Sequence, residues 1–431
     1  MQTEFGDLPD GWKVRPLSEC ADKPDYGFTA SAVPEKLGPK FLRITDIQDG
    51  KVDWDSVPYC SLPGAVNEDK VLHTGDIVVA RIGATTGKAF LIGKCPRAIF
   101  ASYLIRIRTK WDMLSPDFLY YFFHTDFYWT HIDKHKDDRL KGGVNIPALT
   151  SINVPVPPPP EQALIAKVLR LVQRAAAIEG RAEKVTERLK GGALREMLTR
   201  GLHGENQKET EIGLIPESWE PRTILELCEI LSGGTPRKSV TEYWSGNIPW
   251  ASGKDLKVPT LHETIDHVSQ DGLDAGSRLA PADTVFILVR GMGLAKDLPV
   301  SVISRPMAFN QDLKALVSRG EFSGTYIRSA IYCAKDRLLS RIVPSAHGTM
   351  TLNLDDIETF KIPCPSDANE AKEIVEILDA LDRKVDLHKR RRAVLEDLFK
   401  ALLHKLMTGK IRVADLDLTA LGEASLEGVA A

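Results

Sequence analysis

One six-residue stretch comes close to a nucleotide-binding loop. Gly83-Ala-Thr-Thr-Gly87-Lys88 places a lysine directly after the second of two glycines. A phosphate-binding loop needs four residues between its glycines and a Ser or Thr after the lysine. Here three residues intervene and Ala89 follows. We therefore predict a tight turn between two strands, with Lys88, Thr85 and Thr86 exposed, and no nucleotide site.

No other stretch has the spacing of a catalytic centre. The sequence contains no Gly-x-Gly-x-x-Gly, His-Glu-x-x-His or Gly-x-Ser-x-Gly motif, and no Asn/Asp-Pro-Pro-aromatic tetrapeptide. The acidic pairs Asp137-Asp138 and Asp355-Asp356 are more typical of solvated faces or helix starts than of metal sites. The six cysteines lack any CxxC spacing, which argues against zinc and against a disulfide framework. We therefore predict no catalytic residue, metal or cofactor in this chain.

Several loops instead combine glycine with polar, basic and aromatic residues. In the second half these are Ser232–Lys238 and Ile248–Asp255, and in the first half Tyr26–Ser31 and Leu42–Ile47. Glycine lets a backbone approach a phosphate closely, and Arg or Lys can pair with a phosphate or a guanine edge. Each loop taken alone also fits an ordinary turn or a core aromatic. The loops Arg139–Asn145 and Ala346–Asn353 are equally open to both interpretations.

The chain is an internal repeat with a shift of about half its length. Gly6–Trp12 returns as Gly213–Trp219, and Asn145–Pro157 returns as Asn353–Pro365. Looser matches join Gly75–Gly83 to Ala282–Gly291, which aligns Arg81 with Arg290, and Ala98–Leu104 to Met307–Leu313. A two-fold repeat of this length implies two similar domains rather than a solenoid. Short β-branched runs such as 76–80 and 99–108 predict strands, and 116–127 and 326–339 predict helices, so each copy is mixed α/β.

Each copy ends in an overlong helical pattern. Apolar residues recur at helical spacing through Glu161–Leu202 and again through Glu370–Ile411, a shift of 209 residues. About 40 residues of helix span roughly 60 Å. Because each helix leaves its own module, we predict that the two pack antiparallel. Gly180, Gly191 and Gly192 favour a kink or a break in the first helix.

Bulk properties fit a soluble chain of several domains. The 431 residues carry a net charge of −3, so nucleic-acid binding would depend on local basic surfaces. No apolar run reaches the ~18 residues of a membrane span, the first residues do not form a signal peptide, and the cysteine usage fits a cytoplasmic protein. The expected domains are 1–157 and 206–365, called here module one and module two, helices at 158–205 and 366–412, and a tail at 413–431.

Taken together, the motifs resemble one family. They are the Pro-x-x-Trp openings at Pro9 and Pro216, Ser232-Gly-Gly-Thr-Pro236 followed by Tyr243-Trp and Ile248-Pro-Trp250, Leu42-Arg-Ile-Thr-Asp46, Arg81-x-Gly-x-x-x-Gly-Lys88, and the lead-in Pro157–Gln162. In this order, twice over, they resemble the specificity subunit of type I restriction-modification enzymes. The second lead-in, Pro365–Glu370, departs from the pattern because it lacks the Glu-Gln pair.

The resemblance implies a role. Each module would be a target-recognition domain reading one half of a bipartite, asymmetric DNA site. The helices would form an antiparallel coiled coil that sets the spacing and docks two methyltransferase subunits, with the two halves related by a pseudo-two-fold axis. Those partners would supply S-adenosylmethionine chemistry, and restriction/translocase subunits with ATP and Mg²⁺ would complete the enzyme.

The resemblance and the loop chemistry together give candidate residues. Those for DNA are Tyr26, Thr29, Ser31, Arg43, Thr45, Arg81, Thr85, Thr86, Lys88, Lys141, Asn145, Thr235, Arg237, Lys238, Trp250, Ser252, Lys254, Arg290, His347 and Asn353. Those for partner subunits are Glu161, Gln162, Ile165, Leu169, Leu194, Leu198, Ile374, Leu378, Leu402 and Met407. Two other classes stay open: a coiled-coil scaffold that does not contact DNA, and a diverged nuclease or nucleotide-dependent enzyme.

Overall fold

The computed structural model describes residues 2–48, 50–61, 68–136, 142–344 and 349–416. Lys141, His347 and most of the expected tail lie outside these ranges. The chain divides into two compact units, one made of Met1–Arg181 with Lys389–Ala431 and the other of Ala182–His388. Each unit therefore contains one module, part of the helix that follows it and part of the other long helix.

Module one is built on two four-stranded sheets. The first is antiparallel, in the order Ala89–Leu91, Ile77–Ala80, Leu104–Ile107, Asp25–Tyr26. The second has the order Ala98–Phe100, Lys40–Leu42, Tyr59–Ser61, Ser31–Val33, and its first two strands are parallel. Short pairs are Lys13–Pro16 with Asn153–Val156, Gln2–Thr3 with Gly6–Asp7, and Ile47–Gln48 with Lys51–Val52. The strands predicted within 76–80 and 99–108 are confirmed.

The helices of module one are short. They are Leu17–Cys20, Pro116–Phe122, Asp126–Lys134 and Ile146–Thr150, with 3₁₀ turns at Ile44–Asp46 and Glu68–Lys70. The single helix predicted over 116–127 is wrong, because Thr125 begins a second helix by accepting a hydrogen bond from the Tyr128 N–H. An N-cap threonine satisfies one of the free amides of a new first turn.

Module two repeats the arrangement with one more strand. Its five-stranded sheet has the order Cys228–Ser232, Leu313–Ser318, Val285–Leu288, Val300–Ile303, Thr260–Leu261. Its four-stranded sheet has the order Asp266–Val268, Ile248–Ala251, Met307–Phe309, Leu279–Ala280. Short pairs are Glu220–Thr223 with Lys361–Cys364, Gln207–Thr210 with Gly213–Pro216, and Val343–Pro344 with Met350–Thr351. Helices are Ile224–Leu227, Gln270–Gly276, Gly324–Cys333, Lys335–Leu339 and Leu354–Glu358, with 3₁₀ turns at Thr241–Trp244 and Met292–Ala295.

The two long helices are Pro159–Arg200 and Ala368–Met407. The first runs without a break through Gly180, Gly191 and Gly192, so the predicted interruption does not occur. Each helix is followed by a glycine with positive φ, Gly201 and Gly409. Such a residue closes the last turn without the steric penalty of a Cβ.

Within each unit the two long helices contact each other. In the first unit Glu179 lies 3.9 Å from Arg391, and in the second Lys190 lies 2.5 Å from Asp382. Among the described residues, no helix is long and apolar enough to cross a membrane.

A buried tryptophan fixes the start of each long helix. The Trp12 Nε1–H donates to Glu161 Oε2 at 3.0 Å in the first unit, and the Trp219 Nε1–H donates to Glu370 Oε2 at 2.9 Å in the second. Glu161 also accepts two hydrogen bonds from Arg412. The Pro-x-x-Trp openings seen in the sequence thus fasten each module to its own helix.

Candidate nucleic-acid interface

The candidate loops of module one converge through backbone hydrogen bonds at the ends of the two sheets. Phe28 N–H donates to Phe100 O at 2.8 Å, and Ala101 N–H donates to Leu42 O at 2.9 Å. Both bonds lie at the end of the strand Ala98–Phe100. The loops that begin at Tyr26 and at Leu42 are therefore both held beside this strand end.

Two further bonds add the turn and the late loop. Arg81 N–H donates to Tyr103 O at 3.0 Å, and Val144 N–H donates to Arg81 O at 2.8 Å. The Tyr26 hydroxyl accepts from the Ile146 N–H at 3.2 Å. The segments 26–31, 42–45, 81–88 and 142–145 therefore meet on one side of module one.

Module two uses the same set of four backbone bonds. They are Gly234 N–H to Phe309 O, Asn310 N–H to Ala251 O, Val289 N–H to Asp312 O and Leu352 N–H to Val289 O, at 2.8 to 3.0 Å. The segments 232–238, 251–255, 289–295 and 349–353 consequently take the places of the four segments of module one. We call this arrangement the loop frame.

A glycine at one point of each loop frame allows two chains to approach closely. A Cβ at Gly27 would lie 2.1 Å from Phe100 O, and a Cβ at Gly233 would lie 2.3 Å from Phe309 O. No real Cβ contact is that short, so only glycine fits without a shift of the backbone. The two glycines hold the loops at Tyr26 and Ser232 against the neighbouring sheet.

Arg81 and Tyr26 form the centre of the frame in module one. The Arg81 guanidinium lies over the Tyr26 ring, 4.5 Å from its centroid. The stretch Gly83–Lys88 is the tight turn that the sequence predicted: Thr86 N–H donates to Gly83 O, and Gly87 N–H donates to Ala80 O. Lys88 is exposed on it.

Three candidates in module one are engaged within the protein. Arg43 forms a forked pair with Asp46 at 2.7 and 3.1 Å, and this hydrogen bonding raises the pKa of Arg43. Asn145 caps a helix by accepting from the Ala148 N–H, and Thr86 is buried with its hydroxyl donating to Gly83 O. These three shape the loops, and their role as DNA contacts stays a prediction. The burial of Thr86 contradicts its expected exposure on the turn. Thr29, Ser31 and Thr45 are exposed, and Thr85 is half-buried.

The candidates of module two divide in the same way. Arg237, Lys238 and Arg290 are exposed, and the Thr235 hydroxyl donates to Gln311 Oε1 at 2.5 Å. The engaged candidates are Lys254, which pairs with Asp266 at 2.7 Å, Ser252, which bonds to Asp255, Asn353, which donates to Asp356, and Trp250, which is buried with its Nε1–H donating to Gly234 O. As in module one, these side chains support the loops, and their role as DNA contacts stays a prediction.

The alignment of Arg81 with Arg290 is wrong by one residue. Val289, not Arg290, makes the two backbone bonds that Arg81 makes in module one. The expected alignment paired two arginines that each lie close to a glycine. The strand registers of Ile77–Ala80 and Val285–Leu288 instead fix a shift of 208 residues between the modules. The centre of the module-two frame therefore holds a buried valine.

The candidates do not include two exposed residues that follow the strands Ala98–Phe100 and Met307–Phe309. Tyr103 is 56% exposed and offers its carbonyl to Arg81, and Gln311 is exposed beside Thr235. Both lie in the repeated segments Ala98–Leu104 and Met307–Leu313. The signal was that polar residues break these two matched apolar runs at the same place.

The partner-binding candidates prove to belong to the protein's own core. Ile165, Leu169, Leu194, Leu198, Ile374, Leu378 and Met407 are buried, Leu402 is half-buried, and the Gln162 side chain is fully buried against Ser115 and Met113. Glu161 is bound by Trp12 and Arg412. The helices bury Ile165, Leu169, Leu402 and Met407 against module one, and Leu194, Leu198, Ile374 and Leu378 against module two. A role for these side chains in partner binding stays a prediction.

The exposed apolar side chains of the helices are different ones. They are Leu164, Ile178, Val394 and Leu398 in the first unit, and Val185, Leu189, Ile377 and Leu387 in the second. Within the described ranges, no group of three or more His, Cys, Asp or Glu side chains is placed to hold a metal ion.

Two copies of one loop-bearing module, each continued by a long helix, define a duplicated recognition protein. Comparison with known proteins specifies the family. The model of the type I restriction modification DNA specificity domain matches twice, over residues 9–187 and 216–397. The chain belongs to this family of type I restriction-modification specificity subunits.

Individual relatives agree over most of the chain. A Methanocaldococcus jannaschii chain assigned to the type I restriction enzyme MjaX as its specificity subunit is 26% identical over 428 residues, 96% of each chain. The EcoR124I/EcoR124II specificity subunit of Escherichia coli is 26% identical over 292 residues, 63% of this chain and 69% of its own.

Solved structures share the fold. The S subunit of a type I restriction-modification system from M. genitalium superposes with a TM-score of 0.56 at 17% identity, covering 93% of this chain and 98% of its own. A chain from a structure on assembly and conformational transition of the type I R-M system gives 0.56 at 21%, covering 94% and 100%.

Proposed function

We propose that this chain is the DNA-recognition subunit of a type I restriction-modification complex, and that each module reads one half of a bipartite, asymmetric site. The observation that carries the proposal is the loop frame, which occurs twice with the same backbone bonds and different side chains. Module one presents Tyr26, Arg81 and Lys88, whereas module two presents Arg237, Lys238 and Gln311. Equal frames with unequal side chains suit two different half-sites.

The long helices are proposed as an antiparallel coiled coil that sets the distance between half-sites, with the halves related by a pseudo-two-fold axis. The contacts Glu179–Arg391 and Lys190–Asp382, one within each unit, support the pairing of the two helices. Half-sites on one face of B-DNA lie about 34 Å apart per helical turn, a distance that helices of this length can match.

The test is to lengthen the helices. Insertion of four residues after Gly191 and after Leu381 adds about 6 Å to each helix. Methylome sequencing of a host that carries the variant and its methyltransferase should show the same two half-sites with a changed number of bases between them. The matched control inserts the same residues at Gly320, in an exposed turn with open space around it, and should leave the site unchanged. Altered half-sites at unchanged spacing would reject the spacer role.

Docking of two methyltransferase subunits is proposed at the exposed apolar side chains of the helices. Ile178, Val394 and Leu398 in the first unit correspond to Leu387, Val185 and Leu189 in the second under the 209-residue shift. All six are at least 39% exposed. Two matching sets of aliphatic residues fit two copies of the same partner.

This docking can be tested by charge substitution. Val185→Asp and Val394→Asp should each remove one methyltransferase copy from the purified complex, and the double variant should remove both, as measured by native mass spectrometry. Lys184→Asp, an exposed position beside Val185, is the control. Full retention of both copies in the double variant would place the partner elsewhere.

In this proposal the chain addresses other subunits and is itself non-catalytic. S-adenosylmethionine, ATP and Mg²⁺ would be used by the methyltransferase and the restriction/translocase subunits in the cytoplasm. The scaffold alternative predicts no sequence preference in DNA binding when the methyltransferase is present. The enzyme alternative predicts hydrolysis by the isolated chain, so binding and hydrolysis assays separate the three readings.

A further inference from the structure

Arg81 is fixed by contacts of its guanidinium and of its backbone. Its guanidinium lies over the Tyr26 ring, 4.5 Å from the centroid. Its backbone N–H and carbonyl are both bonded, to Tyr103 O and to the Val144 N–H. The Tyr26 hydroxyl is fixed in turn by the Ile146 N–H. The guanidinium of Arg81 therefore lies against an aromatic ring, and its backbone is held by two hydrogen bonds.

Among the described residues, the Arg81 side chain has no hydrogen-bond partner. Its Nε is buried and donates no hydrogen bond to any of them. Other arginines of module one do pair: Arg106 donates to Asp25 and Arg108 donates to Asp76. A buried polar nitrogen without a partner is costly and calls for an explanation, such as a ligand that completes it.

We propose that Arg81 and Tyr26 form a subsite for a guanine base in the half-site read by module one. This rests on the proposed function. A guanidinium held over an aromatic ring can present its edge, and that edge matches the O6 and N7 acceptors of guanine in the major groove. A phosphate can accept from arginine too, but it does not require a guanidinium of fixed plane, and the exposed Lys88 already offers a point charge.

The described residues of module two form no such arginine–aromatic pair at this place. Val289 occupies the position of Arg81 and is buried. Ser232, which pairs with the sheet as Tyr26 does, accepts a hydrogen bond from Lys314 Nζ at 2.6 Å. The subsite is thus a property of one module, as expected if the two half-sites differ.

The test starts from the methylated site of the wild-type complex, determined by methylome sequencing. Full-length variants with the methyltransferase partner are then measured for binding to duplexes in which each guanine of the half-sites is replaced in turn by 7-deazaguanine, which lacks N7. One position should weaken wild-type binding by about 10-fold or more. Arg81→Ala should bind the normal and the modified duplex equally.

Arg81→Lys separates geometry from charge, because lysine keeps the positive charge but lacks the planar fork. It should lose the preference for guanine at that one position and keep the other half-site. Tyr26→Leu should reduce the same preference by a smaller factor. Arg15→Ala, an arginine of module one paired with Glu19, is the control, and thermal unfolding of each variant verifies that it is folded.

The outcomes are distinct. A half-site pair without any G·C position, or Arg81→Lys with an unchanged base preference, overturns the subsite while leaving the proposed function intact. Failure of the wild-type complex to bind any specific sequence overturns the proposed function itself. If Arg81→Ala does not fold, Arg81→Lys with the modified duplexes still decides.

Discussion

The two modules share a backbone frame and differ in what they place on it. In both, four loops meet through the same backbone bonds at the ends of two sheets, and one glycine sits against the carbonyl of a buried phenylalanine. At the centre of that frame, module one carries Arg81 and module two carries Val289. Backbone bonds do not depend on side-chain identity, so the frame can be kept while the exposed side chains change.

The helix starts show the same combination of likeness and difference. Glu161 and Glu370 both accept from the indole of their module's first tryptophan. Glu161 also binds the guanidinium of Arg412, whereas Glu370 accepts from the backbone N–H of Leu202. The junction at Glu161 therefore contains an ion pair, whereas at Glu370 the carboxylate accepts from a neutral backbone N–H.

The largest effect is expected where the frame admits only glycine. Gly27→Val should disrupt module one and Gly233→Val module two, because each Cβ would lie 2.1 or 2.3 Å from a backbone carbonyl. Overpacking of this kind costs about 3 kcal/mol or more. Chemical denaturation followed by hydrogen exchange would locate the loss in the substituted module.

The control for these variants is Gly93→Val, a position with open space around it. It should unfold close to the wild-type denaturant concentration. If Gly27→Val and Gly93→Val behave alike, the close approach of the two chains does not constrain the fold.

A smaller difference is expected at the helix starts. Glu161→Gln should lower the free energy of unfolding by about 1–2 kcal/mol through loss of the charged pair. This is less than a fully buried pair would contribute, because Arg412 is 43% exposed and water screens it partly. Glu370→Gln keeps an acceptor for its tryptophan and loses no ion pair, so it should cost less. Equal losses in urea titrations would contradict the distinction between the two junctions.

The cations of module two give the next test. Arg237→Ala and Lys238→Ala should each weaken DNA binding and lower the slope of log K against log salt by about 1. Lys254→Ala should change the slope less, because Lys254 is already paired with Asp266. A salt series on the complex with methyltransferase measures all three, and an equal slope for every variant would mean that no phosphate is bound here.

The sequence predicted the repeat, both long helices and the tight turn at Gly83–Lys88, because each depends on local spacing. It did not predict which cations are free. Lys254 and Arg237 are both basic residues in glycine-containing loops, and only the fold brings Asp266 to one of them. Pairing across a sheet cannot be read from the loop alone.

Helix burial was misjudged for a related reason. Apolar spacing identifies a helix face but not what covers it. Ile165 and Leu169 face their own module, whereas Val185 and Leu189 of the same helix are exposed. The glycines of the first helix favour a kink or a break, yet glycine lowers helix stability by only about 1 kcal/mol, and the helix runs through them.

The smallest expected effect concerns pH and separates the modules again. Burial lowers the pKa of His124 in module one below its ordinary 6.5, against a hydrogen bond to Tyr120 O that raises it. Below pH 6.5 the unfolded chain binds a proton at this residue that the folded chain does not, so stability should fall as the pH drops from about 6.5 towards the folded pKa. Hydrogen exchange at pH 7.5 and 5.5 should show module one losing protection. His124→Phe should reduce that loss, whereas an undiminished loss in His124→Phe would assign the pH dependence to other groups, such as His131, whose pKa is also lowered by burial.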